Sequence, residues 1–341
     1  MRTAKENKTV QLPRGLSAKY AGQKPYYEVW YGKIDISPGR AFWFRYTLLN
    51  GVTDEACTWA IVFDQKKIVT GKDIFPLSRL SFPDRGSTLH HNSIKGKDGL
   101  QVLQLGSNRL DYGHAIGSAG QVSWNFGFED LKKTFEHIPG IMQVLKIAKS
   151  TYTSCILDAR FSGQICFHKK EVRFSKAKGM IGHIYGTRQA HEWAWSHCNS
   201  FQNAEGVVFE GITAKVRLGS VMSPPLSSFV VFIGDRCYPF SSIWRLARAP
   251  SIYTGGAWDF NTSCNGVKLE GQVRAPSADK SAVVEYTDTD GSSLWCHNSK
   301  LSELKLRLCD PQHNLDREFY AKDTAAFEIV VRTPPQKKPD L

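Results

Sequence analysis

Residues 179–201 concentrate side chains with chemical potential. The segment reads Gly-Met-Ile-Gly-His-Ile-Tyr-Gly-Thr-Arg-Gln-Ala-His-Glu-Trp-Ala-Trp-Ser-His-Cys-Asn-Ser-Phe. From His191 onward it alternates strictly. His191, Trp193, Trp195, His197, Asn199 and Phe201 fall on one face, and Glu192, Ala194, Ser196, Cys198 and Ser200 on the other, the period of a β-strand. An aromatic face with a few nitrogens suits a mostly apolar guest that needs polar anchors. Trp193 and Trp195 add surface for a cation, and His183, Tyr185 and Arg188 in the glycine-rich entry extend the binding set. Glu192 is the candidate acid. If its face lines a lumen, apolar surroundings raise its pKa and let it protonate an alkene, with His191 and His197 as catalytic partners. If its face points outward, it is a solvated charge. His191 and His197 lie on the order of 20 Å apart along a strand, too far to share one metal ion.

A second group sits earlier in the chain. Glu28 alternates with Trp30, and Trp43 with Arg45, in two aromatic runs expected to pair. An unpartnered buried carboxylate is costly, so Glu28 and Arg45 are expected to meet inside a first barrel, as an ion pair or as the polar floor of a ligand cavity. Trp124 joins this candidate set. There is no G-x-S-x-G, no G-x-x-x-x-G-K-[ST] and no G-x-G-x-x-G, so neither a nucleophile elbow nor a phosphate cradle is expected. Asp288-Thr289-Asp290-Gly291 lacks the closing glutamate of a calcium loop and reads as a β-turn. No cofactor and no metal are expected.

The elements that must hold these residues are strands. Residues 26–34, 40–49 and 57–63 form an apparent antiparallel meander punctuated by Ser37-Pro38-Gly39 and Asn50-Gly51. Further strands are expected at 99–108 and 120–128. Residues 129–153 break the pattern, and Ile141, Val144, Leu145 and Ala148 have helical spacing. This predicts a short helical or irregular connector. Residues 161–167 and 171–174 read as a hairpin that opens a second half, and 206–218, 227–233, 258–260, 267–273, 282–286 and 304–308 as later strands. Residues 238–249 fit either helix or strand. The expected organisation is a lead-in at 1–25, an N-terminal domain at 26–150, a C-terminal domain at 151–333 and a frayed tail at 334–341.

Bulk composition sets limits. The chain has 341 residues, enough for two ordinary domains, and 41% hydrophobic and 22% charged residues, values typical of a folded protein. Aromatics at 12% favour strands. A net charge of +12 is spread along the chain without a nucleic-acid module, so nucleic acid is not expected as a partner, whereas a basic surface is compatible with peripheral contact with an anionic membrane. The 8 cysteines form no C-x-x-C pair. With no apolar leader after Met1 and no membrane-spanning run, the expectation is a cytoplasmic protein with reduced thiols. The oligomeric state is not legible.

Gly182-His183-Ile184-Tyr185-Gly186-Thr187-Arg188 with His191-Glu192-Trp193-Ala194-Trp195-Ser196-His197 resembles the G-x-x-W-G…W-x-W segment of the hydroxyneurosporene synthase (carotenoid 1,2-hydratase) and tocopherol cyclase group. The resemblance extends to Tyr27–Trp30 with Ala41–Thr47, to Gly120–Trp124, and to Tyr286–Gly291 with Cys296–Ser299. Tyr185 replaces the expected tryptophan, and Ile184 the usual asparagine. The resemblance implies an all-β chain of two tandem lipocalin-like (calycin) barrels or sandwiches. It also implies a cofactor-independent enzyme that hydrates (a lyase) or cyclises (an isomerase) a hydrophobic, isoprenoid-like molecule by proton initiation. A non-catalytic carrier of a lipid or hydrophobic metabolite uses the same kind of pocket, and a pocket filled by its own side chains would leave an interaction scaffold.

Overall fold

A computed structural model describes residues 15–65, 67–83, 101–140, 148–241, 251–336 and 338–341. Apart from three short 3-10 turns, its elements are strands. The first sheet is built from β1 (Tyr26–Ser37), β2 (Arg40–Asn50), β3 (Asp54–Asp64), β4 (Val69–Pro76), β5 (Leu80–Ser81), β6 (Gln101–Leu105), β7 (Asn108–Asp111), β8 (His114–Ala119), β9 (Val122–Lys132), β10 (Phe135–Glu136), β11 (Ser150–Phe167) and β12 (Lys170–Gly186). Its order is β4-β3-β2-β1-β12-β11-β9-β8-β7-β6-β5, with β10 on β11. It curls into a nearly closed barrel. β4 comes so near the end of β8 that a Cβ on Gly71 would lie 1.9 Å from the Ala119 carbonyl oxygen, so only glycine permits this approach.

The second sheet uses β13 (Glu192–Cys198), β14 (Val207–Lys215), β17 (Leu226–Ile233), β18 (Arg236–Phe240), β19 (Ser251–Thr254), β20 (Ala257–Cys264), β21 (Val267–Arg274), β22 (Ala282–Thr287), β23 (Ser293–Asp310) and β24 (Leu315–Val331), and β15 (Arg217–Leu218) with β16 (Val221–Met222) forms a separate ribbon between β14 and β17 in the chain. Its order is β18-β17-β14-β13-β24-β23-β21-β20-β19, with β22 on β23. This sandwich-like sheet repeats the connectivity of the first. β13 takes the place of β1, the β23–β24 hairpin that of β11–β12, and β22 that of β10.

The repeat corrects one expectation and divides the 179–201 segment. The 161–174 hairpin is hydrogen-bonded between β1 and β9 and so belongs to the first sheet, not to a second half. The passage between sheets falls at residues 187–191. Residues 179–201 are therefore the end of β12, a link, and β13, not one continuous strand. The helical stripe at Ile141, Val144 and Leu145 lies outside the described residues, as does most of 238–249.

Strand periodicity explains the layering. In β1 and β2, partners share parity: Trp30 faces Tyr46, and Tyr31 faces Arg45. Even-numbered residues (Trp30, Phe42, Phe44, Tyr46) fill the first barrel with Trp124, Phe126 and Phe161. Odd-numbered residues (Tyr27, Val29, Tyr31, Trp43) point the other way, against the second sheet. In β13 the small face, Ala194 and Cys198, joins the second core of Phe209, Phe229, Trp258 and Phe260, while Trp195 faces the first sheet. Both sheets are thus covered on two sides in their central strands, so their sequences read as near-continuous apolar runs.

Candidate functional site

Between the sheets lies a cavity of about 180 Å³. Tyr27, Ser150, Tyr152 and Ile184 reach it from the first sheet, and Trp193, Ile212, Leu226 and Ser228 from the second. A smaller space of about 40 Å³ shares Tyr27, Tyr152, Trp193 and Ile212 and adds Tyr31, Trp43, Arg45, Trp195 and Glu328. The glycines of β12 make room for neighbours within the first sheet that borders the cavity. A Cβ on Gly182 would lie 2.5 Å from the Tyr31 ring, and one on Gly186 would lie 2.2 Å from the Lys149 carbonyl oxygen.

A buried polar cluster backs the cavity wall. Glu210, on β14, is fully buried and accepts four hydrogen bonds. Oε1 takes the Tyr152 hydroxyl at 2.6 Å and Trp195 Nε1 at 3.0 Å; Oε2 takes His137 Nε2 at 2.9 Å and the Ser154 hydroxyl. Burial pushes the Glu210 carboxyl upward, but the His137 and Ser154 hydrogen bonds and the nearby histidines outweigh it, and the pKa ends below its ordinary value. His137 stacks on Tyr152 with ring centroids 5.0 Å apart, and its Nδ1 lies 2.9 Å from Ser228 Oγ. Tyr31 and Tyr152 hydroxyls are 2.8 Å apart. Burial, then the Glu210 charge, raises the Tyr152 pKa well above the ordinary phenol value. His137, Tyr152 and Ser228 line the cavity, and Glu210 stands behind them.

The residues singled out from sequence divide into three groups. Arg188, His191 and Trp193 line the main cavity, and Trp43, Arg45, Trp193 and Trp195 the smaller space. Glu28, His183, Tyr185 and Trp124 belong to the other face of the first sheet. Glu28 accepts from His183 Nε2 at 2.8 Å and from the Lys19 and Tyr20 amides, and Trp124 donates to the Tyr46 hydroxyl. His183 lies stacked on Trp30, and Tyr185 packs beside it. Asn199 and His197 lie deeper along the interface. Asn199 donates to Asp158 and to the Gly179 carbonyl oxygen; His197 Nε2 lies 2.9 Å from the Leu157 carbonyl oxygen.

One expected pairing fails because of strand register. Glu28 does not meet Arg45, because Glu28 is even and Arg45 odd in a register that keeps partners at equal parity. A one-residue offset puts side chains on opposite faces. Arg45 instead lies over the Tyr286 ring at 3.9 Å. Glu192 lies at the edge of the small-residue face, not within the cavity. Burial raises its pKa, but Lys215 Nζ at 2.6 Å and the Tyr253 hydroxyl at 3.0 Å more than offset this and hold it below its ordinary value. That favours the ionised form, the reverse of what a proton donor at neutral pH requires. Phe201 leaves the alternation altogether, because β13 ends at Cys198 and Phe201 turns into the second core.

A family model described as tocopherol cyclase-like matches residues 112–329. The chain belongs to the tocopherol cyclase-like family. Two curated relatives, both uncharacterized proteins of Mycobacterium tuberculosis (strains CDC 1551 and H37Rv), are 21% identical over 201 residues, or 59% of this chain. The match spans about 60% of the length of those relatives. The crystal structure of a protein described as AttH, from Nitrosomonas europaea, superposes with a TM-score of 0.56 at 11% identity, covering 98% of this chain and 100% of that one. At that identity the likeness concerns the fold alone. It supports the all-β double-lipocalin architecture inferred from the sequence.

Sequence reasoning missed His137, Tyr152, Glu210 and Ser228. Glu210 did carry a signal: it is the lone acid inside the apolar run Val-Val-Phe-Glu-Gly-Ile, and such a charge requires buried partners. His137 had none, since it lies within the 129–153 connector, where strand periodicity is lost.

Proposed function

We propose that this chain binds a hydrophobic, isoprenoid-like molecule between its sheets and promotes proton-initiated hydration or cyclisation, with His137 handling the proton. The observation that carries this reading is the His137–Glu210 pair in the wall of an apolar cavity. When both ring nitrogens hold protons, His137 donates to Glu210 through Nε2 and to Ser228 Oγ through Nδ1. Ser228 can then pass its hydroxyl proton to an alkene carbon while receiving the Nδ1 proton. The resulting carbocation is accommodated by the faces of Trp193 and Tyr152. Water adds and loses a proton, or an internal nucleophile closes a ring and loses one, and neutral His137 takes it back. Glu210 offsets the imidazolium charge throughout. At about 180 Å³ the cavity is smaller than the ~300–1,000 Å³ usual for ligand sites, so it encloses one prenyl end and not a whole carotenoid.

A carrier is the second reading, and one observation favours it. Glu192 and Glu210 are both biased toward the ionised form, so neither serves as a neutral carboxylic acid. Incubation with acyclic isoprenoids and prenylated hydroquinones in D2O separates the two readings. The enzyme reading expects a product one water heavier than the substrate, or an isomer of it, with one deuterium on carbon. His137→Gln should abolish turnover and keep binding. Binding without any product in the wild type would leave the carrier.

A further inference from the structure

The rim of the main cavity differs from its floor. Lys149, Arg188, His191, Arg217 and Arg332 all line it, and among the described residues no carboxylate does. Lys149 and Arg217 are exposed; Arg188, His191 and Arg332 are half-buried. The floor is apolar and aromatic, with Tyr27, Tyr152, Ile184 and Trp193. An apolar pocket with a cationic edge is complementary to an amphipathic anion.

Counting the charges sharpens this. Two of the arginines are anchored by the 288–291 turn. Arg332 Nη2 lies 2.7 Å from Asp288 Oδ2, Arg188 Nε lies 3.8 Å from the same atom, and Arg188 Nη2 bonds Asp290. Asp288 is buried and also accepts from the Gln189 amide. These contacts fix where the guanidinium groups sit. They offset two positive charges of the four carried by Lys149, Arg188, Arg217 and Arg332. Lys149 and Arg217 have no ion pair with a described residue, which leaves a net positive rim. His191 responds to it. Burial first, and then the charges of Arg332, Arg217 and Lys215, outweigh Glu192 and disfavour a further positive charge there. Positive potential at the edge of a low-dielectric cleft draws in and orients anions.

We infer that the guest carries an anionic head, a carboxylate or phosphate, held at this rim while its apolar chain fills the cavity. This rests on the cavity being the ligand site, and it adds a substrate class and a binding direction. The head at Lys149 and Arg217 places the far end of the chain toward Trp193 and His137. Guanidinium and ammonium groups form charge-assisted hydrogen bonds roughly twice as strong as neutral ones, so the head group should dominate selectivity among ligands with one tail.

The test is calorimetric titration of the full chain with geraniol, geranic acid and geranyl phosphate, which share a prenyl chain and differ in the head. At low salt, at least one anion is expected to bind about tenfold more tightly than geraniol, equivalent to about 1.4 kcal/mol. The advantage should shrink at about 0.5 M salt, as the exposed rim is screened. Which anion gains identifies the head. Lys149→Gln with Arg217→Gln should remove most of the advantage and leave geraniol binding unchanged. Geraniol binding as tightly as both anions would overturn the inference while the cavity reading stood. If none of the three bound, the cavity reading itself would fall and take the inference with it.

Discussion

His197 should make the fold acid-sensitive well above the carboxylate range. The residue is fully buried at the interface, with Nε2 donating to the Leu157 carbonyl oxygen and Nδ1 without a partner among the described residues. Burial first, and then the charge of Lys33, push its pKa down to about 4. The folded value thus lies below the unfolded value of about 6.5. Between these two pH values the unfolded chain binds the proton and the folded chain does not. Stability from this group is therefore complete above about pH 6.5, falls as the pH drops, and is gone below about pH 4. The full effect is about 3 kcal/mol, of which about 2 kcal/mol is lost between about pH 7 and pH 5. Urea unfolding at these two pH values, compared between wild type and His197→Gln, measures it. Glutamine keeps a donor for Leu157 and cannot titrate. The wild type should lose about 2 kcal/mol more than the variant over that interval. An equal loss in both would refute the buried neutral imidazole.

Other outcomes follow from the same geometry. Glu210→Leu strands Trp195 Nε1 and His137 Nε2, which cannot rotate to new acceptors, and should cost about 3–5 kcal/mol. Glu210→Gln, whose amide can reorient, should cost about 1–2 kcal/mol; both are read from denaturant midpoints, and near-equal costs would remove the four-donor picture. Glu28→Leu should destabilise by about 3 kcal/mol or more by leaving His183 and two amides unpaired, whereas Arg45→Met should cost about 1 kcal/mol from its Tyr286 contact; a double-mutant cycle should show no coupling between the two. Trp193→Ala should weaken binding of an apolar fluorescent probe at least fivefold with unchanged circular dichroism, because it removes a wall shared by both spaces; unchanged binding would place the probe elsewhere.

Period-two patterning made the strands legible, and the first meander emerged almost as read, because each turn carried glycine, proline or asparagine. Strand facing was less legible. Alternation sorts residues into two faces but does not say which face looks at which neighbour. That depends on register, and in a sheet covered on both sides the apolar content is high on both faces. Glu28 and Arg45 show the consequence: two mid-strand charges in paired strands, separated by one unit of parity and hence by the thickness of a sheet. The switch between sheets was hidden for a related reason. Residues 179–201 look like one continuous pattern because the end of β12 and the start of β13 both pack against the same interface. The 150–186 hairpin, in turn, pairs on one side with β1, more than 100 residues earlier, which no local signal reveals.

The interface between the sheets gathers several ion pairs. Glu210 with His137, Lys33 with Asp35, and Lys300 with Glu328 are all buried there or at its margins. Desolvation is the largest influence on Lys300, and it lowers the ammonium pKa even with Glu328 at 2.7 Å. Replacing such pairs with apolar residues of similar volume is often neutral or stabilising by ~1–4 kcal/mol. Packing alone therefore gives no reason to keep them where two apolar sheet faces could simply close. The first barrel also holds such a pair, Glu28 with His183 beside Trp30, but most of its interior is aromatic rings packed on one another, with Tyr46 satisfied by Trp124 and main-chain carbonyls. Polar groups with costly burial thus gather around the space left open between the sheets, held there by the barrel on one side and the sandwich-like sheet on the other.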